Sequence, residues 1–264
     1  MAFLYNPDGR KIRTWACLAL VLAVFSTCSP LLLAQQQQDM PPMEDMPGID
    51  MSHGSMSMEE TPAQQAKRLA DKRESEFNHH LAGFLVILAG VFLLAQDRLA
   101  KRWPGVRYVW PSCFLLAGLY LALFSDTEIW PVGQETLWFA IRDNPEDLQH
   151  KIFALILLFL GTVELLRARG KLKSLWSAWA FPALGVVGAI LLLFHHHSAG
   201  MHGAHHMETM NHIKAEHLGF SVTGGGIALA NGLSEVRGHW QAVFQKIWPS
   251  LMIVLGVLLM LYTE

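Results

Sequence analysis

The chain has 264 residues, of which 52% are hydrophobic and 16% charged, and a formal net charge of −2. That balance is richer in apolar groups and poorer in charge than a typical soluble domain, while the net charge discriminates nothing; no nucleic-acid partner is expected. Its three cysteines include no CxxC pair, so neither a disulfide framework nor a thiolate metal site is expected.

Arg10, Lys11 and Arg13 precede an apolar stretch from Trp15 to Leu33, and Ala34 stands before a run of glutamines. This order of basic, apolar and small residues predicts a cleavable secretory signal over 1–34. A retained anchor is the alternative, because the apolar run is long for a signal and no alanine occupies the third position before the cut. Cleavage removes Cys17 and Cys28 and leaves Cys113 as a small packing residue in an apolar helix.

Residues 35–60 are low in complexity and hold Met40, Met43, Met46, Met51, Met56 and Met58 around His53. Glutamine, proline and acidic residues there cannot build a packed core, so the stretch is expected to be a disordered external arm. Thr61 before Pro62 then signals a helix start, and the Ala, Gln, Lys, Arg and Glu composition predicts a polar juxtamembrane helix over 61–78.

From 79 to 264 the pattern is that of an all-α polytopic membrane protein. A bilayer core of roughly 30 Å needs about 20 mostly apolar residues per helix. Spans are expected at 79–96, 107–125, 150–167, 178–196 and 247–262, with a further one at 217–234. The last carries Gly224, Gly225 and Gly226, which weaken a helix in water but are tolerated where membrane helices pack closely. The expected bundle therefore has about six spans, five being the alternative. Glu164, near the cytoplasmic end of its span, is expected either to snorkel or to pair with Arg167 at i+3.

Loop charge sets the orientation. Arg98, Lys101, Arg102 and Arg107 follow the first span, and Arg167, Arg169, Lys171 and Lys173 follow the third. Both groups are expected on the cytoplasmic side. The acidic stretch 126–149 is then external, as are the N-terminal arm and the loop at 195–217.

With this topology the histidines fall almost entirely on one side. His79, His80, His150, His195 and His217 mark the external ends of four spans, and His239 alone lies inside. Between Phe194 and Phe220 the chain adds His196, His197, Met201, His202, His205, His206, Met207, Met210 and His212. If residues 202–217 are helical, then His202, His206, Met210, Ile213 and His217 share a stripe about 80° wide at roughly 100° per residue. Gly200 and Gly203 leave an irregular loop as the alternative. His79, His80 and His150 also admit a simpler role as polar residues at helix ends.

The ligand types point to copper. Thioethers select Cu(I), imidazole suits Cu(I) and Cu(II), and copper heads the divalent affinity order. The expected metal residues are thus His79, His80, His150, His195, His196, His197, Met201, His202, His205, His206, Met207, Met210, His212 and His217. Met40, Met43, Met46, Met51, His53, Met56 and Met58 serve as an auxiliary capture arm.

The multi-span body with histidines at its external ends, the Met/His tracts and the ending Gly256-Val-Leu-Leu-Met-Leu-Tyr-Thr-Glu264 resemble the bacterial copper-resistance D-type inner-membrane proteins over residues 78–264. The resemblance implies copper handling at the periplasmic face of the bacterial inner membrane, with import across it as one outcome. Capture of copper for transport, for transfer to a periplasmic copper carrier, or for resistance is the leading expectation. A b-type haem or quinone redox protein using His80, His150, His195 and His217 is the alternative from the enzyme class. A metal sensor or assembly factor is the third. No catalytic set and no P-loop emerge from the sequence.

Overall fold

The computed structural model describes residues 61–126, 129–130, 132–138, 142, 145–194, 204–236 and 238–263, apart from the side chains at 145–146 and 204–211. The signal and arm at 1–60 lie outside the described residues, as do His195, His196, His197, Met201 and His202 and the side chains of His205, His206, Met207 and Met210. The described chain is helical, its only bridge being an isolated pair at Ile129 and Glu135.

Helix α1 runs Pro62–Leu99. Thr61 caps it with a reciprocal box: its hydroxyl accepts from the Gln64 N–H, and the Gln64 side chain accepts from the Thr61 N–H. Two of the helix's orphan donors are thereby satisfied. At about 1.5 Å per residue its 38 residues exceed the bilayer core, so the expected juxtamembrane helix and first span form one continuous rod.

A short 3-10 helix, Pro104–Tyr108, leads into α2, Val109–Phe124. Helix α3 is Pro145–Ala168, α4 is Leu175–Leu193, α5 is Ala204–Glu235 and α6 is Gln241–Met260. The stretch before His217 is thus helical back to Ala204, in place of the irregular loop. Among the described residues, four helical segments are long and apolar enough to cross a membrane: α1, the 3-10 helix with α2, α4 and α6.

Each helix packs on the next in sequence, and α6 returns to pack on α1, closing a ring. All six helices send side chains to a common core: Ala89 from α1, Trp110, Cys113 and Phe114 from α2, and Leu160 from α3. Phe181 comes from α4, Ile227 and Ala230 from α5, and Trp248 and Met252 from α6. Trp110, Phe114, Phe181 and Trp248 meet edge-to-face or tilted with ring centres 5.4 to 6.4 Å apart, the arrangement that ring quadrupoles favour. Cys113 is a buried free thiol within this cluster.

Two ends are distinguished by chemistry. At one, Arg107 and Arg169, from the two basic loops, both lie over the Tyr108 ring, at 5.7 and 5.9 Å. There Arg167 binds Glu164 at 2.8 Å, the expected i+3 pair, and reaches Glu235 of α5 at 2.6 Å. The other end holds the start of α3, the last turns of α2 and α6, and His79, His80 and His217.

Glycine sets the closest approach in the ring. A Cβ at Gly256 would lie 2.5 Å from Ile87 Cγ1 and 2.7 Å from the Gly83 carbonyl oxygen, while one at Gly83 would lie 2.6 Å from the Gly256 carbonyl oxygen. Backbones of α1 and α6 therefore touch, the packing that small residues allow in membranes. Gly256→Val is expected to lower the melting temperature of the purified protein by about 5 °C or more, from an overpacking cost of about 1–3 kcal/mol. Gly219→Ala, at a site with nothing within 4 Å, should leave it unchanged, and equal melting of the two variants would contradict this packing.

Candidate metal centre

The end of the bundle away from the arginines gathers imidazoles in two sets. A helical side chain leans toward the N-terminus of its helix, over the preceding turn. A histidine can therefore reach the carbonyl four residues back. His79 does so, its Nδ1 lying 2.8 Å from the Ser75 oxygen, and His217 repeats the contact with Ile213 at 2.8 Å. A backbone carbonyl only accepts, so Nδ1 carries a hydrogen in both rings.

The two rings come together across α1 and α5. Their centres are 5.9 Å apart and their planes nearly perpendicular, at 85°. Tyr262, fully buried just beyond α6, stacks on His79 at 3.9 Å and 21°. Phe220 lies 6.1 Å from His79 and 5.6 Å from His217. His217 is only 4% exposed and Phe220 is equally enclosed, whereas His79 is half-buried. His80 takes a different part: its Nε2 donates to the Tyr262 carbonyl at 3.1 Å, which spends that nitrogen on holding the tail that stacks on His79.

The second set centres on Asp126, which follows α2 and is 9% exposed. His150 Nδ1 donates to Asp126 Oδ1 at 2.7 Å, Lys151 Nζ lies 2.6 Å from Oδ2, and the Ser125 hydroxyl donates to Oδ2 at 2.7 Å. Lys151 also donates to the Ala122 carbonyl, tying α3 to the last turn of α2. Burial by itself would raise the Asp126 pKa. The hydrogen bond and charge of His150, with hydrogen bonds from Lys151 and Ser125, outweigh it and hold the carboxyl at about 2. An ionised Asp126 again fixes the hydrogen of His150 on Nδ1, the carboxylate–histidine arrangement that orients ligating imidazoles in metal sites. Asp147, one helical turn before His150, completes a group of three whose potential ligand atoms lie within 4.8 Å of one another.

Hydrogen bonds join the surroundings of both sets. Tyr120 donates its hydroxyl to Asn78 Oδ1 at 2.8 Å, and Asn78 Nδ2 donates to the Ser125 carbonyl at 3.2 Å. The residue before His79 is thereby bound to the residue before Asp126. Gln149 Nε2 donates to the Phe194 carbonyl at 3.2 Å, so the Met/His-rich segment leaves α4 beside the residue preceding His150. His212, on an exposed turn of α5, lies 3.6 Å from Glu216 Oε2. Burial raises the Glu216 pKa against the opposing effects of His212 and the Thr263 backbone.

Of the residues expected at a metal site, His79, His80 and His217 meet around Tyr262, His150 stands with Asp126 and Asp147, and His212 lies one turn before Glu216. Tyr262, Asp126, Asp147 and Lys151 are additions. Asp126 and Asp147 entered the sequence argument only as loop charge, although Asp147-x-x-His150 has the i, i+3 spacing that puts two ligands on one helical face.

No protein-family model, curated protein or solved structure matches this chain.

The depressed pKa of Asp126 makes a stability prediction with a definite sign. Its stabilisation is present above the unfolded carboxyl pKa near 3.8 and is lost as pH falls through about 2. Wild type should lose about 2 kcal/mol over that interval from this group. Asp126→Asn should lack that increment, which melting followed by tryptophan fluorescence between pH 5 and pH 2 would read; an acid profile identical to wild type would contradict the assignment.

Proposed function

We propose that this chain is a copper-binding protein of the bacterial inner membrane, with six spans, that captures copper at its periplasmic face and passes it on. The observation that carries the proposal is the meeting of His79 and His217. Two imidazoles from helices distant in sequence, each with its hydrogen fixed on Nδ1 by a carbonyl, stand with ring centres 5.9 Å apart. A metal ion about 2 Å from one nitrogen of each ring sets the ring centres roughly 6 Å apart. Such pre-fixed tautomers are what a ligating histidine pair requires.

The ligand-dense stretch supplies a route. His195, His196, His197, Met201, His202, His205, His206, Met207 and Met210 lead directly into α5, the helix that carries His217. The methionine arm from Met40 to Met58 adds thioethers that favour Cu(I). Copper is cargo in this account: the Met/His tract collects it, the histidine pair holds it, and a periplasmic copper carrier is the partner that exchanges it. The resemblance to the copper-resistance D-type proteins supports the same assignment.

Haem b between His79 and His217 fits less well, because a macrocycle lying across the ligating nitrogens, perpendicular to both imidazole planes, would need space where the Tyr262 and Phe220 rings pack against the pair. The purified protein is accordingly expected to show no Soret band.

Metal analysis after copper loading and desalting tests the proposal. Deletion of residues 195–211 should lower the bound copper by at least one equivalent per chain, and His79→Ala with His217→Ala should remove the most tightly held equivalent. Equal copper in wild type and both variants would refute it.

A further inference from the structure

Beyond copper capture by the histidine pair, we infer that His212 and Glu216 form a separate site for a divalent transition ion of the zinc class, at the rim of a cavity between α5 and α6. The cavity measures about 260 Å³. Its walls are His212, Ala215, Glu216 and Phe220 of α5, with Leu258 and Leu261 from the end of α6. Gly219 leaves the α5 wall open, since a Cβ there would meet nothing within 4 Å. At about 30 Å³ per water, the space takes an ion with the waters that complete its shell.

Two observations at Glu216 point to a cation. Its Oε2 is buried and has no hydrogen-bond partner, a costly state for a carboxylate oxygen. His212 Nδ1 stands 3.6 Å from that oxygen, beyond the roughly 2.7–3.2 Å of an N–H···O bond. The gap suits a shared ion. Two ligand atoms held about 2.0–2.2 Å from a tetrahedral centre lie roughly 3.4 Å apart. The i, i+4 spacing puts both side chains on one face of α5, as the paired histidines of an H-E-x-x-H helix are placed for zinc. His212 is exposed and Glu216 half-buried, so an ion enters from the His212 side.

Ligand chemistry selects the ion. Imidazole with carboxylate suits zinc and Cu(II), and neither group is the thioether that favours Cu(I). The Glu216 carboxylate also offsets one of the two charges that a divalent ion brings. Phe220 lines this cavity and lies against His217, with ring centres 5.6 Å apart. The divalent site therefore adjoins the histidine pair while using neither of its rings.

The test is Zn(II) titration of the purified full chain in detergent against a chelating indicator, with infrared difference spectra of the carboxylate stretches. Glu216→Gln keeps the shape of the side chain, and His212→Ala changes an exposed position, so both variants should melt as wild type does. Each should lose one Zn(II) equivalent, and the double variant should lose that same equivalent and no more. The zinc-induced carboxylate shift should shrink in Glu216→Gln, whereas His79→Ala with His217→Ala should leave this equivalent in place. Wild-type zinc stoichiometry or an unchanged carboxylate shift in Glu216→Gln would overturn the site. So would additive losses in the double variant, which would place the two residues at different ions.

Discussion

Backbone contact between α1 and α6 at Gly83 and Gly256 governs where His79 and His80 stand against the tail of α6. Gly83 lies one turn below His79, and Gly256 lies under two turns before Tyr262. With no Cβ on either side, the two helices approach closely enough for the Tyr262 ring to stack on His79 and for His80 to reach the Tyr262 carbonyl. A pair of larger residues would push α6 outward and remove the surface against which His79 is fixed. Closing the helix ring and shaping the candidate site are therefore consequences of one contact.

The second constraint is the backbone carbonyl four residues before each enclosed histidine. In apolar surroundings a buried ring nitrogen needs a partner, and the carbonyl of the preceding turn is the nearest acceptor. Meeting that need also places a hydrogen on Nδ1 of each ring. Asp126 does the same for His150 with a charge added. The two sets share geometry at the histidine but differ in electrostatics: aromatic and neutral around His217, ionic around Asp126.

Much of this was legible in the sequence. Apolar length predicted helices near their observed positions, the Thr61-Pro62 start is capped as expected, and Glu164 pairs with Arg167. Both rest on local rules, the capping box and the i+3 spacing, which need no tertiary knowledge. The basic loops likewise meet at Tyr108. Less legible was the division of the histidines into two sets, because it depends on which helices neighbour one another and on rotation about their axes. Tyr262 carried no signal as an orienting residue, since its role exists only once α6 closes against α1. Lys151 reads as an ordinary interfacial lysine until Asp126 is folded beside it.

The account stands or falls on whether His79 and His217 hold the same ion. X-ray absorption spectroscopy of the protein loaded with one equivalent of Cu(I) measures this directly. The prediction is a low-coordinate first shell containing two imidazole nitrogens, with the outer-shell scattering of intact rings, and loss of that signature in His217→Ala. A first shell made wholly of sulfur, or an imidazole signature unchanged by that substitution, would contradict it.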